Sequence, residues 1–402
     1  MIITVDCGTT NMRCRLFDGK TLIDQERALC GCRDRAFTGS SAILEENLSR
    51  LIKTLLDRNS LSESDIEAVI SSGTLASDVG IHKIPHAVCP AGIPESVRAA
   101  EMVVMESVSK IPILFIPGVK TLPAPDADLE TKILIYESMS GEESEIYGIS
   151  EAMGLPEEFI ITLPGSHNKV MEVKNSKICS IRSGLCGEFI ASISGHTMLK
   201  SALPEPVIRE ILPEMLRLGY RMADKYGLSS MLIKARMLQL LGGYSQDEAA
   251  NFFVGALLHD DIRTVAEIAE RPSSKGKPVV VGGSDPLKTV FMILLEEAGT
   301  ENLIAVPAEV ATLASNYGAM KVYEEWKRVQ SAKGKMQNAK LRSAALAVFL
   351  WKTAVFSRRD RVDFCRRQIL PRRVSEIFSY LKTSPNGEVF TFTLPSAFCP
   401  LP

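Results

Sequence analysis

The stretch Asp6-Cys7-Gly8-Thr9-Thr10 sets a carboxylate two residues ahead of a glycine and two hydroxyl side chains. Glycine lets a backbone approach a phosphate closely. Successive N–H groups in such a bend make an anion-binding nest, and the threonine hydroxyls add donors. A carboxylate at the edge of the nest suits hydrated magnesium, which keeps its waters and takes only one or two carboxylates. The chemistry is that of a phosphate held at a backbone bend, with Asp6 toward the metal. Pro164-Gly165-Ser166-His167-Asn168 repeats the bend, with Lys169 just beyond it, and Gly282-Gly283-Ser284 offers a third. Ser71-Ser72-Gly73-Thr74 is a fourth small polar turn, and Glu142-Glu143 is a pair of adjacent carboxylates.

The flanking residues tell what positions these turns. Residues 2–5 are a β-branched run that reads as a buried strand. After the turn Met12, Cys14 and Leu16 alternate with Arg13, Arg15 and Phe17, as in a half-buried strand. Residues 160–163 and 169–173 form a second strand pair around Gly165-Ser166. Two strand–Gly-hydroxyl–strand hairpins suggest an internal duplication holding a nucleotide's phosphates between them. Residues 278–281 predict a strand, followed by the Gly-Gly-Ser turn and a helix over 287–298. That is a nucleotide-binding turn in form, although the chain has neither a Walker loop nor G-x-G-x-x-G. Residues 68–70 predict a strand ending at Ser71–Thr74, and the C-terminal end of a strand is where open α/β sheets bind ligands. His86 follows in 84–92, where three breakers require a loop or an edge.

The remaining elements are read from periodicity. Leu44, Leu48, Leu51, Ile52 and Leu55 mark an amphipathic helix within 38–59. Residues 94–110 read as a helix, 111–116 as a strand and 120–128 as a proline-rich loop. A helix opens at Ser140-Gly141-Glu142-Glu143 and runs to about Gly154, and acidic residues there also serve the helix dipole. Residues 206–258 are mostly helical, 303–306 a last strand and 310–326 a last helix.

The 402 residues are 46% apolar and 23% charged, an ordinary globular composition whose length suggests two domains. The N-terminus enters a strand directly, without a signal segment, and no apolar run reaches the ~18 residues needed to span a bilayer. Nine scattered cysteines without C-x-x-C read as reduced thiols of a cytoplasmic protein. The net charge of −2 argues against a nucleic-acid binder. Charge is unevenly spread. Residues 331–402 hold 13 Lys+Arg against 4 Asp+Glu, a balance of +9, while residues 1–330 balance at −11.

Taken together, the motifs resemble the 2-dehydro-3-deoxygalactonokinases of the sugar kinase, actin and heat-shock-chaperone superfamily. The resemblance rests on D-C-G-T-T-N-M-R at 6–13, I-S-S-G at 70–73, P-H-A-V-C-P-A-G at 85–92 and G-E-E at 141–143. It continues with P-G-S-H-N-K at 164–169, G-E-F at 187–189 and V-G-G-S at 281–284. It implies an α/β fold of two ribonuclease-H-like lobes (the actin-like ATPase arrangement) with a nucleotide cleft between them. Residues 1–150 would form the first lobe with the sugar side, and 151–330 the second with the adenosine site. The implied activity is transfer of the ATP γ-phosphoryl, with magnesium, to the terminal hydroxyl of 2-dehydro-3-deoxy-D-galactonate, ahead of an aldolase in galactonate breakdown. A small sugar acid is the partner expected, with no nucleic acid or membrane, and a homodimer is left open.

On that resemblance Asp6 binds magnesium through water. Gly8, Thr9 and Thr10 hold one end of the triphosphate, Gly165, Ser166 and Lys169 the other, and Gly282, Gly283 and Ser284 lie against adenosine. Ser72, Gly73 and His86 line the sugar side. Glu143 is the first choice of base and Glu142 the second, because S-G-x-E-E is similar to an exopolyphosphatase motif whose second glutamate is catalytic. The chain departs from the family at Ser140, where an arginine is usual, and at Gly73-Thr74, where the family has Gly-Met. Alternatives are another kinase or phosphatase of the superfamily, or a non-catalytic ATP-gated binder. Residues 331–402 lie outside the resemblance. They read as a basic extension or as non-native sequence, with a helix over 341–351 and a strand over 388–394.

Overall fold

Ile2–Cys7 (β1) turns at residues 8–11 into Met12–Asp18 (β2), which pairs with it antiparallel from Ile2↔Phe17 to Cys7↔Met12. Thr21–Ala28 (β3) adds a third antiparallel strand. The short helix Cys32–Thr38 (α1) and the helix Ala42–Arg58 (α2) follow. The leucines expected to face inward do so: α2 buries Leu44, Leu48, Leu51, Ile52 and Leu55 against Ile3, Val5 and Leu16. Ala68–Gly73 (β4) then lies parallel to β1, in register Asp6↔Ser72 and Cys7↔Gly73.

The next segment departs from the expectation. Residues 94–110 are not one helix. After Ala87–Val88 (β5), the helix Ile93–Ala99 (α3) stops, and Glu101–Met105 (β6) pairs antiparallel with Ser109–Phe115 (β7). The β-branched Val103-Val104 pair favours the strand, and β7 supplies a neighbour for it. Val119–Thr121 (β8) takes the start of the expected loop, and the helix Leu129–Ile135 (α4) leads to Glu137–Met139 (β9). Strands β5, β8 and β9 make a small sheet of their own. Helix Glu142–Met153 (α5) ends at the left-handed Gly154, close to where the sequence placed its end.

The second half repeats the first. Phe159–Leu163 (β10), Asn168–Lys174 (β11) and Lys177–Gly184 (β12) form an antiparallel meander, followed by the helices Cys186–His196 (α6), Pro213–Tyr226 (α7), Leu228–Gly242 (α8), Gln246–Leu257 (α9) and His259–Glu270 (α10). Val279–Val281 (β13), Leu287–Glu297 (α11), Leu303–Ala305 (β14) and Ala308–Phe356 (α12) complete it. The sheet orders are β3-β2-β1-β4-β7-β6 and β12-β11-β10-β13-β14. In both, a meander of three antiparallel strands is joined through its first strand to two parallel ones. This is the α/β architecture of actin-like ATPases. The second sheet packs on a core that includes Leu216, Phe252, Phe253, Val281 and Phe291.

Arg15 and Phe17 are buried rather than outward. Helix α12 covers that face of the first sheet. Asn316 accepts from Arg15 Nη1 at 2.5 Å and donates to Thr4 Oγ1 at 2.8 Å, and Tyr317 meets Phe17 edge-on with centroids 6.2 Å apart. A strand covered on both faces cannot alternate cleanly, so the half-buried pattern misreads it. Residues 1–356 are described by this computed structural model. Met1–Lys327 form one compact unit holding all the sheets. The expected last helix over 310–326 is longer than predicted and takes in the helix read over 341–351, whereas the strand read over 388–394 lies outside the described residues. Among the described residues no helix is long and apolar enough to cross a membrane.

Candidate active site

The two hairpin tips are docked in the same way. The Gly8 and Thr9 carbonyls accept from the Cys32 and Arg33 N–H groups at 3.1 and 3.0 Å. The Gly165 and Ser166 carbonyls accept from Gly187 and Glu188 N–H, both at 3.0 Å. In each case a glycine makes the approach feasible. A Cβ on Gly31 would stand 2.4 Å from the Thr9 oxygen, and one on Gly187 would stand 2.6 Å from the Gly165 oxygen. With the carbonyls tied back to a helix start, the N–H groups of Thr9, Thr10 and Ser166 donate to no protein group among the described residues, while Gly165 N–H bonds the Cys186 sulfur. Nothing lies within 4 Å of the Cβ position of Gly8. Both tips are thus open donors, the requirement for an anion nest.

The strand that lies parallel to each hairpin ends in a matching turn. Gly73 has φ +87°, and a Cβ there would meet the Cys7 oxygen at 2.6 Å. Gly283 has φ +73°, with the Pro164 oxygen at 2.5 Å. Only glycine takes this backbone at this approach without strain. Thr74 Oγ1 donates to the Cys7 carbonyl at 2.8 Å, while Gly282 N–H donates to the Thr162 carbonyl at 2.9 Å. The Gly-Gly-Ser turn therefore sits directly beside the second hairpin, and exposed Ser284 caps the approach to α11 by accepting from Lys288 N–H.

Helix α5 lays its first turn across these parts. A Cβ on Gly141 would come within 3.1 Å of the Gly73 Cα, so the helix starts against the end of β4. Its glutamates part in role. Glu143 is wholly buried; its Oε2 accepts from Gly141 N–H at 2.8 Å, and burial, with Glu142 next to it, pushes its carboxyl up to about 8. Glu142 is half-buried and accepts from Ser140 N–H at 3.0 Å. Burial raises its pKa, with Lys169 pulling it back and Asp6 adding to it. Glu145, which the sequence reading did not single out, belongs to the same group. Burial, then Glu142 and Asp6, push it up to about 8, and Gly283 N–H bonds it. Asp6 is raised too, by burial, against the pull of Arg13 and Arg15. An acid three residues on from Glu142, on the same helical face, is the signal that could have found Glu145.

Four buried acids, three of them raised further by a neighbouring acid, mark a site short of positive charge. Among the described residues no three His, Cys, Asp or Glu side chains are grouped as metal ligands. The donor set fits hydrated magnesium held by one or two carboxylates, which keeps its own water shell.

Lys169 is buried and committed, its Nζ donating to the Ser138 carbonyl at 2.8 Å and to Ser183 Oγ at 2.7 Å. It borders a cleft of about 530 Å³, also lined by Lys120, Tyr136, Glu137, His167 and Ser183. Of the expected sugar-side residues, Ser72 is buried with its hydroxyl toward the Val5 carbonyl, and Gly73 is buried in the turn. Half-buried His86 shares a hydrogen bond with Ser140 Oγ at 3.1 Å, and burial followed by Lys120 holds its pKa down.

A crystal structure of a candidate 2-dehydro-3-deoxygalactonokinase from Sinorhizobium meliloti shares this fold, with a TM-score of 0.62 at 21% identity, covering 80% of this chain and 98% of that one. The 2-dehydro-3-deoxygalactonokinase of Escherichia coli (strain K12) is 21% identical over 270 residues, 66% of this chain and 80% of its own length. DgoK1 of Rhizobium meliloti (strain 1021), a candidate enzyme of the same name, is 24% identical over 314 residues, 77% of this chain and 93% of its own length. The family model for 2-keto-3-deoxy-galactonokinase matches residues 6–316, the span that contains both hairpin tips, the glycine turns and the acids between them, and the chain belongs to that family.

Proposed function

We propose that this chain transfers the γ-phosphoryl group of ATP to the terminal hydroxyl of 2-dehydro-3-deoxy-D-galactonate. The hydroxyl oxygen forms a bond to the γ-phosphorus, the bond to the β,γ-bridging oxygen breaks, ADP leaves, and the hydroxyl proton passes to a protein carboxylate. The carrying observation is the paired docking of two open hairpin tips, Gly8-Thr9 and Gly165-Ser166, with acids from β1 and α5 beside them. Phosphoryl transfer needs mostly positioning and charge stabilisation, and this arrangement offers both.

Gly8, Thr9 and Thr10 take one end of the triphosphate, and Gly165 and Ser166 the other, with Lys169 adding charge from below. Gly282, Gly283 and Ser284 lie against adenosine, and His86, Ser72 and Gly73 face the sugar side. Magnesium, when bound, neutralises phosphate charge. Asp6 would hold it through water. The base comes from Glu142 and Glu143. Burial favours Glu142, which has access and stands near Asp6 and Lys169, while Glu143 fixes the Gly141 turn. Residues 1–150 and 151–330 act as two lobes whose closure excludes water, the competing acceptor. The reaction belongs in the cytoplasm, with a small sugar acid as partner.

The test is ADP release by the chain with ATP, magnesium and the galacto acid, beside its gluco epimer. Fast release with the galacto acid supports the reading. Release only with another acceptor, or ATP binding without turnover on any acid, overturns it.

A further inference from the structure

The cleft beside the second hairpin carries one charge that the fold does not use. Glu137 is occupied: Ser183 N–H and Oγ donate to its two oxygens at 2.8 and 2.6 Å. Lys169 donates to Ser138 and Ser183, and His167 Nε2 faces Glu188 at 3.4 Å. Lys120 lines the same cleft, and its ammonium makes no hydrogen bond or ion pair among the described residues. It is held in place nonetheless. In β8, Val119 and Thr121 are buried on one face and half-buried Lys120 stands on the other. Lys120 sits across from Ser138 in β9, and its carbonyl accepts from Cys89 N–H at 2.9 Å.

The neighbours of Lys120 link it to the reacting end. Ser138, its cross-strand partner, holds Lys169, and Lys169 acts on Glu142, on which Asp6 acts as well. A half-buried cation that the fold leaves unpaired is unfavourable unless an anion completes it. The proposed substrate carries an anion at the end opposite the hydroxyl that is phosphorylated. We propose that Lys120 binds the carboxylate of the sugar acid and so selects acids over neutral sugars. This inference rests on the proposed kinase reading.

The full-length chain is tested as wild type, Lys120→Met and Lys120→Arg, by steady-state kinetics and by calorimetric binding of 2-dehydro-3-deoxygalactonate without nucleotide. The C1 amide of the same acid serves as the neutral probe. Lys120→Met is expected to raise KM and Kd for the acid about 10- to 100-fold, the scale of a hydrogen bond to a charged group, with kcat and the ATP KM little changed. Lys120→Arg keeps the charge and most of the affinity. The amide binds wild type and Lys120→Met equally weakly. An unchanged acid Kd in Lys120→Met overturns the inference, and so does an effect confined to ATP, which would make Lys120 a phosphate ligand. Failure of the kinase reading looks different: wild type then shows no turnover on the acid. The calorimetric comparison still decides Lys120 in that case, because a wild type that binds no acid overturns it as well.

Discussion

Glu142, Glu143 and Glu145 lie in one helical turn and face three surroundings. Glu143 is committed to the Gly141 N–H, whereas Glu142 keeps access beside Asp6 and Lys169. Glu142→Gln is therefore expected to lower kcat by about 10²- to 10⁴-fold, the usual worth of a positioned acid or base, with the KM for ATP nearly unchanged. Glu143→Gln keeps the side-chain carbonyl that accepts from Gly141 and should retain most of the activity. Steady-state kinetics on both variants decides the order, and a reversed result returns the base to Glu143. Glu145 carries a pH prediction. Its folded pKa of about 8 lies above the ordinary 4.5, so the folded chain keeps a proton that the unfolded chain has lost in that window. Stability then falls as pH rises from about 4.5 to about 8. Glu143 contributes with the same sign, so Glu145→Gln should flatten the slope without abolishing it. Thermal melts of the unliganded variant across that window check this, and an unaltered slope removes Glu145 from the acid group.

At the scale of elements, α5 is placed by its crossing with α12. A Cβ on Gly148 would fall 1.9 Å from the Ala314 oxygen, and one on Gly318 would fall 1.8 Å from the Ser144 oxygen. Ala gains up to about 1 kcal/mol over Gly in a helix interior. Here the obstacle is backbone, which cannot step aside, and overpacking costs about 1–3 kcal/mol or more. Gly318→Ala is thus expected to be net destabilising by roughly 1–2 kcal/mol in denaturant titrations. Because Ser144 sits among the glutamates, it should also lower kcat. A more stable variant of unchanged activity would show that the crossing is loose. The same logic applies at the hairpins, where Gly31→Ala would push the Gly8-Thr9 tip off α1 and should weaken ATP binding more than acid binding.

For the whole molecule, all three sheets lie in the unit that ends at Lys327, and the family match ends at residue 316. A chain cut after residue 330 should retain turnover within a few-fold, measured by ADP release, and complete loss would give the basic extension a part in the reaction. Much of this was legible in the sequence. The two hairpins, the Gly-Gly-Ser turn, the α2 face and the end of α5 follow from local signals: periods of 2 and 3.6, and glycine where the chain must turn. Where those signals failed, distant chain had intervened. Arg15 and Phe17 read as outward until Asn316 and Tyr317, some three hundred residues on, cover them. Residues 94–110 read as helix until β7 offers the Val103-Val104 segment a partner. The sequence by itself determined the residue chemistry: a carboxylate before Gly-Thr-Thr, a second Gly-Ser bend and a glutamate cluster. Only the tertiary structure decided which acids meet. Burial and charge proximity arise from contacts between β1, α5 and the β13 turn, and nothing in the local pattern of any one of them encodes the approach of the others.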